Sequence, residues 1–234
     1  MTSSADVLAL FAKAPVPGQV KTRLCPPLHP EEAAALYEAM LLDIVGLHAE
    51  PDHACGAERA LWVAPAEALP WFRDRVPASY VLRAQQGPDL SARMRALFHH
   101  HADAGARRMV LRGTDSPTLP LARIDEAFAA LESADLVLCP DRDGGYNLIG
   151  LCKPADPLFD LEMSTGSVLD TTLRRADELG MRAVLLEAHH DVDTHADLVR
   201  LDQARRAGEL DPSLTPRTQR WLEAHPQHAS EGTR

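Results

Sequence analysis

Cysteine is sparse in this chain. Cys25, Cys55, Cys139 and Cys152 are the only four in 234 residues, and no pair has CxxC spacing. With no apolar signal segment ahead of them, a reduced, cytoplasmic protein is expected. No apolar stretch approaches the roughly 20 residues that cross a bilayer, so membrane insertion is not expected. Positive charge is also short: 24 Lys and Arg stand against 34 Asp and Glu, a formal net charge of -10. That balance argues against nucleic acid or an anionic membrane surface as the main partner. There is no Gly-x-Ser-x-Gly elbow, no Walker A loop and no GxGxxG, which removes the simplest hydrolase, P-loop and dinucleotide readings. Internal repeats and low-complexity linkers are absent too. One domain over residues 1–211 is expected, followed over 212–234 by a C-terminal helix and a frayed tail. Histidine is not scarce, but His99, His100 and His101 are consecutive on a helix. They point in different directions and cannot form one tetrahedral metal site.

The segment from Val7 to Leu24, VLALFAKAPVPGQVKTRL, stands against the acidic average. Val7–Ala12 has the composition of a strand buried on both faces. The loop that follows carries Lys13, Lys21, Thr22 and Arg23 among two prolines and a glycine, with no carboxylate. Ligands of open α/β sheets bind beyond the carboxyl ends of strands. Cations and free backbone N–H groups at that point suit a phosphate-bearing ligand, and a solvated loop is the plain alternative.

Apolar runs alternate with amphipathic stretches almost to the end, the α/β pattern. Strands are expected at Ala60–Ala64, Tyr80–Arg83, Met109–Leu111, Leu136–Cys139, Tyr146–Leu151 and Ala183–Leu186. Helices are expected at Pro30–Leu47, Asp89–His101, Leu121–Leu131, Ser167–Leu179, Thr194–Arg206 and, after Thr215-Pro216, to Ala224. In Pro30–Leu47 a proline opens the first turn, Glu31 and Glu32 sit at the positive end of the dipole, and Leu36, Met40, Ile44 and Leu47 share a face. No helix fits between the strands ending at Cys139 and starting at Tyr146.

Several strand tips carry polar groups. Asp115, between Gly113 and Pro117 after the strand Met109–Leu111, is placed either to hold a divalent cation or to cap a turn. Asp191 and Asp193 are two apart in an extended segment and could face one site, while Asp197 suits the start of the following helix. In Asp141-Arg142-Asp143-Gly144-Gly145-Tyr146-Asn147 a plain hairpin turn is favoured over a ligand loop. Gln85-Gln86-Gly87-Pro88-Asp89 leads from a strand into a helix, where amides could read a base edge and helix N–H groups a phosphate. Ser164 or Ser167 is expected to cap a helix.

Taken in order, FAKAPVPGQVKTRL, QQGPDLSARM, LRGTDSPTLP, CPDRDGGYNLIGL, STGSVLDTTL and DVDTHADL resemble the DUF2064 family. These are small proteins of the nucleotide-diphospho-sugar transferase superfamily, described as GT-A type. A more distant resemblance is to 2-phospholactate guanylyltransferase and the molybdenum-cofactor nucleotidylyltransferases. It spans Val7 to Leu201. The resemblance implies a three-layer α/β/α sandwich on a mainly parallel, Rossmann-like sheet, a nucleotide at its C-terminal edge, and Mg²⁺ or Mn²⁺. Phe11, Ala12, Lys13, Lys21, Thr22, Arg23, Gln86, Gly87, Asp89 and Thr114 would bind the nucleotide. Asp115 and Asp193 would hold the metal. Asp143, Gly144, Gly145, Ser164 and Thr165 would line the donor-sugar or acceptor side. Asp115, Lys21 and Arg23 would act in catalysis, with Asp143 as a base. Ser91 stands where members often have glycine, and Met163 where they often have tryptophan.

The leading expectation is a metal-dependent glycosyltransferase that moves a sugar from a nucleotide-diphospho-sugar to a small acceptor. The alternative is a nucleotidyltransferase joining an NTP to a phosphorylated small molecule with release of pyrophosphate. A third is a nucleotide-binding protein without catalysis, which intact Asp115, Asp193, Lys21 and Arg23 weigh against.

Overall fold

The computed structural model describes residues 6–49, 56–161 and 166–228. Its seven strands are β1 (Asp6–Lys13), β2 (Glu58–Ala64), β3 (Tyr80–Ala84), β4 (Arg108–Arg112), β5 (Leu136–Pro140), β6 (Tyr146–Leu151) and β7 (Ala183–Leu185). Its helices are α1 (Pro30–Ala49), α2 (Leu69–Arg73), α3 (Leu90–Asp103), α4 (Ala122–Ala130), α5 (Val168–Glu178), α6 (His195–Arg206) and α7 (Pro216–Ala224). The five-residue α2 and its preceding 3₁₀ turn were not expected, being too short for a helical apolar stripe to register.

One sheet runs in the order β3-β2-β1-β4-β6-β5-β7. All neighbours are parallel except β6, which is antiparallel to both β4 and β5. The five residues between β5 and β6 close a hairpin, with Asp141 N–H donating to Gly145 O at 3.0 Å. The missing helix thus shows itself as a reversed strand. Side chains alternate along the parallel strands, so both faces are dry. Leu8, Leu10, Val110 and Val137 pack beneath α1 and α4, while Val7, Ala9, Met109 and Leu138 pack beneath α3 and α5. This is the expected three-layer sandwich. Chain order reverses between β1 and β4, and the crevice of an open α/β sheet forms beyond the carboxyl ends at that switch point.

The C-terminal segment is part of the same body. Leu24, Leu36, Met40, Val192, Leu198, Trp221 and Leu222 form one buried cluster joining α1, α6 and α7. Asp43 on α1 is buried and caps α7, accepting from Arg217 N–H at 3.0 Å, Thr218 N–H at 2.8 Å and Thr218 Oγ1 at 2.9 Å. The tail expected to fray from His225 is docked as far as His228, whose Nε2 lies 2.9 Å from Glu32 Oε1. Asp43→Ala strands two amide donors and a hydroxyl in the interior, and should lower stability in urea by about 3 kcal/mol. A change within about 0.5 kcal/mol, the usual range for surface exchanges, would mean that α7 is held by Trp221 and Leu222 alone.

The histidine run is structural on two counts. His101 is buried in the core and accepts a hydrogen bond from Trp62 Nε1 at 3.1 Å, and His99 Nε2 meets Asp156 at the surface. Burial, helped by the His100 and Arg83 charges, pushes His101 from 6.5 down to about 4. The unfolded chain binds that proton near pH 6.5 and the folded chain only near pH 4, so stability falls as pH drops through that window. The loss from His101 should reach about 3 kcal/mol. His101→Gln keeps an acceptor for Trp62, and the acid limb of its unfolding curve should flatten. No helix among the described residues is long and apolar enough to cross a membrane.

Candidate functional site

A cleft of about 620 Å³ opens at the C-terminal edge, over the ends of β1 and β4 and the start of β6. At its floor Lys21 is bent into the left-handed region, φ 49°, which is uncommon for a residue with a side chain. That turn sends its ammonium inward, where it is buried. Nζ forms ion pairs with Asp115 Oδ1 and with Asp193 Oδ1, the latter at 2.9 Å. Burial would depress the Lys21 pKa, but the two carboxylates outweigh it and hold the group above its ordinary value. Two oxygens on one ammonium lie within about 6 Å of each other, given N–O contacts near 3 Å. Asp115 and Asp193, far apart in sequence, therefore face one point. Arg23 Nη1 approaches Asp193 Oδ2 at 3.6 Å from the solvent side.

The chain path explains the meeting. β7 lies on the far edge of the sheet, but the segment after it runs back across the ends of β5 and β6. His189 N–H donates to Pro140 O, Asp191 N–H to Asp141 Oδ1 at 3.3 Å, and Val192 N–H to Asp115 O at 2.9 Å. Thr194 and Asp197 then close a reciprocal capping box on α6, so Asp197 serves the helix and not the cleft.

Two further aspartates join this end. Asp191 is largely buried; burial first, then the Asp115 and Asp141 charges, raise its pKa, and its Oδ1 has no partner. Asp141 is also raised, chiefly by burial. Sequence reasoning weighed both without assigning either to the site. It also missed Arg112, a buried arginine at the tip of an apolar strand. Nε donates to Gly113 O at 3.1 Å, Nη2 to Ser116 O at 2.7 Å, and Nη1 meets His48 Nε2 at 2.9 Å. Burial lowers the Arg112 pKa to about 10, with Asp191 the main opposing charge. Arg112 thus fixes the loop that presents Asp115.

A proton chain stiffens the other wall. Lys13 N–H donates to Tyr37 Oη, Tyr37 donates to Thr114 Oγ1 at 2.8 Å, and Thr114 donates to Phe11 O at 3.1 Å. Burial, with the Asp115 charge, pushes the Tyr37 hydroxyl up to about 12, so it stays protonated as this chain requires.

Of the expected residues, Phe11, Ala12, Lys13, Lys21, Thr22, Arg23, Asp89, Thr114, Asp115, Asp143, Gly145 and Asp193 line the cleft. Gln86 and Gly87 do not; Gln85 lines it instead, its Nε2 donating to Ala12 O and Trp62 O and its Oε1 accepting from Arg93. Asp89 also caps α3, accepting from Ala92 N–H at 2.8 Å. Gly144 has a structural task. Its φ is 89°, and a Cβ there would collide with the backbone of Gly166, so glycine is required where the hairpin packs on the approach to α5. Asp143 is exposed and accepts from Gly145 N–H in a local turn. Ser167 occupies the cap position of α5 without a side-chain capping bond. Ser91, the departure from glycine, is buried and donates to Leu161 O at 3.0 Å. Ser164, Thr165 and Met163 lie outside the described residues.

Among the described residues no cluster of three or more His, Cys, Asp or Glu side chains is preformed around a metal position. Mg²⁺ typically takes one or two carboxylates and fills its shell with water and phosphate oxygens. Asp115 and Asp193 converging on a cation, with the unpartnered Asp191 Oδ1 in the same cleft, fit that donor set.

A family model described as "Uncharacterized protein conserved in bacteria (DUF2064)" matches residues 49–165. The chain is 32% identical over 208 residues to a 3-phospho-D-glycerate guanylyltransferase of Phenylobacterium zucineum (strain HLK1), covering 84% of this chain and 92% of the relative. It is 29% identical over 184 residues to a 2-phospho-L-lactate guanylyltransferase of Halorubrum lacusprofundi, covering 77% and 78%. Its structure is similar to that of a Desulfovibrio desulfuricans G20 protein whose nucleotide-diphospho-sugar transferase activity is inferred. The TM-score is 0.88, with 28% identity and 97% of each chain covered. On the family match and the 32% relative together, the chain belongs to the DUF2064 family.

Proposed function

We propose that this protein is a metal-dependent nucleotidyltransferase that joins an NTP, GTP by the analogy of its relatives, to a phosphorylated small molecule. The observation that carries the reading is the clasp of Lys21 by Asp115 and Asp193 at the switch point of the sheet, beside Lys13 and Arg23. The two curated relatives, both named guanylyltransferases, support nucleotidyl transfer over the glycosyl transfer first expected.

In this reading an acceptor phosphate oxygen attacks the α-phosphorus of the NTP, and the α–β bridge breaks to release pyrophosphate. Lys21, Arg23 and Lys13 bind and orient the triphosphate and offset charge as it moves to the leaving group. Asp115 and Asp193 would hold Mg²⁺ or Mn²⁺, which when bound neutralises phosphate charge and polarises the reacting phosphoryl group. The proton chain from Lys13 through Tyr37 and Thr114 to Phe11 ties the end of β1, where the loop with the cations begins, to the loop that carries Asp115.

Incubation with GTP, Mn²⁺ and either 3-phospho-D-glycerate or 2-phospho-L-lactate tests the reading. Pyrophosphate formed in step with acceptor use is the expected product. The similarity to the Desulfovibrio protein keeps glycosyl transfer as a second reading, and free nucleoside diphosphate from a nucleotide sugar would favour it.

The two readings also differ at Asp143. A phosphate acceptor already carries an anionic oxygen near neutral pH and needs no base, whereas a sugar acceptor hydroxyl does. Asp143→Asn is expected to change turnover by less than about fivefold, since general-base loss typically costs about 10²-fold or more. A loss of that larger size would shift the assignment to glycosyl transfer.

A further inference from the structure

Asn147 is the first interior residue of β6 and is buried, 4% exposed. Neither its Nδ2 nor its Oδ1 has a hydrogen-bond partner. It nevertheless lines the cleft, together with Ile149 two residues on and Leu111, which pairs with Ile149 across the sheet. Its backbone oxygen accepts from Gly113 N–H at 3.2 Å, so it is tied to the loop that carries Asp115.

A buried amide with no partner from the protein is destabilising, and a leucine of similar shape would not be. Something entering the cleft must satisfy it if the position is to serve function. Its place in the sheet says what. The loop that carries the cations leaves β1, on one side of β4, and Asn147 lies on the other side, on β6. A nucleotide whose phosphates reach Lys21 therefore leaves the Asn147 side to the second substrate. This end holds Asp115, Asp141, Asp143, Asp191 and Asp193. A cationic side chain here would be captured by a carboxylate, as Lys21 is. A neutral amide keeps its donors available for an anionic ligand. It also carries an acceptor that needs a hydrogen.

We propose that Asn147 is the acceptor-recognition residue. It holds the hydroxy-acid end of a phosphorylated acceptor, Nδ2–H donating to a carboxylate oxygen and Oδ1 accepting from a free hydroxyl. The inference rests on the nucleotidyl-transfer reading and adds its acceptor class, a phosphorylated acid with an unmodified hydroxyl. Binding is measured by calorimetry with Mn²⁺ and α,β-methylene-GTP, which cannot be cleaved at the α–β bridge. Wild type should bind 3-phospho-D-glycerate, which keeps a hydroxyl, at least about tenfold tighter than 2-phospho-L-lactate, which has none free. Asn147→Leu should lose that preference and bind 3-phospho-D-glycerate at least about tenfold more weakly, a shift of the size expected when a hydrogen-bonded group is removed. Its affinity for the nucleotide analogue should not change, and its Tm should hold or rise. Asn147→Ala should show the same loss of preference if the larger side chain packs badly. Unchanged affinity for 3-phospho-D-glycerate in both variants, or no preference in wild type, overturns the proposal. So does a fall in Tm with equal losses for both ligands, which marks a structural amide. If the variants behave as expected but wild type releases no pyrophosphate from GTP, Asn147 still binds the hydroxy acid and the nucleotidyl reading alone falls.

Discussion

Asp115→Asn is expected to reduce nucleotide-dependent turnover by about 10³-fold or more while the protein stays folded, the scale of losing a main charge-stabilising group in a transferase site. The substitution is nearly isosteric and the carboxylate is 41% exposed, so little packing changes. The backbone bond from Val192 N–H to Asp115 O does not use the side chain and survives. Lys21 is not stranded either, because Asp193 still accepts from it at 2.9 Å. What disappears is one of the two negative charges converging on a cation position. Pyrophosphate release across a Mn²⁺ titration measures the effect on turnover, and titration of the free protein with Mn²⁺ measures the metal affinity. Near-wild-type turnover at saturating Mn²⁺ would remove Asp115 from the metal position and return it to a loop residue held by Arg112.

Most of the frame was legible because it depends on local pattern. A run such as Val7–Ala12 can only be satisfied by a sheet buried on both faces, and each expected strand and long helix appears within a few residues of its place. The polar tips were legible for the same reason, since the C-terminal edge of such a sheet collects them. What sequence could not give was the route by which distant tips meet. β7 sits two strands from β6 and three from β4, and only the return of residues 186–193 across the sheet edge brings Asp193 to Lys21. Gln85 and Gln86 show a second limit. They are adjacent, and a strand's two-residue period decides which one turns toward the cleft. Arg112 and Asn147 were hidden by their settings, each a polar residue within an apolar strand whose burial only the packing reveals. The favoured hairpin reading of residues 141–147 proved right in backbone, yet the same hairpin delivers Asp141 and Asn147 to the cleft. Turn geometry and ligand contact were not alternatives there.

Lys21→Met should move two properties in opposite directions. Methionine has nearly the length of the lysine stem and can fill the same buried path, but it brings no charge. Asp115 and Asp193 then face each other without the buried ammonium, and Arg23, 3.6 Å from Asp193 Oδ2 on the solvent side, offsets part of their charge. Breaking a fully buried pair typically costs 3–5 kcal/mol, and the loss here should be smaller, about 2 kcal/mol, because both carboxylates keep a third or more of their surface in water. The free protein should bind Mn²⁺ more tightly than wild type, since the ammonium no longer competes for the two carboxylates, and saturating Mn²⁺ should restore part of the lost Tm. Nucleotide handling should go the other way. With the ammonium reaching phosphate oxygens as proposed above, affinity for a nucleoside triphosphate should fall by about 10²-fold, on the scale of two charge-assisted hydrogen bonds, while affinity for the nucleoside hardly changes. Turnover should fall at least as far. Calorimetry with Mn²⁺, GTP and guanosine reads all three affinities. Weaker Mn²⁺ binding in the variant would show that Lys21 positions the two aspartates instead of occupying the cation position between them. Equal losses for GTP and guanosine would show that the lysine shapes the cleft and does not grip the phosphates.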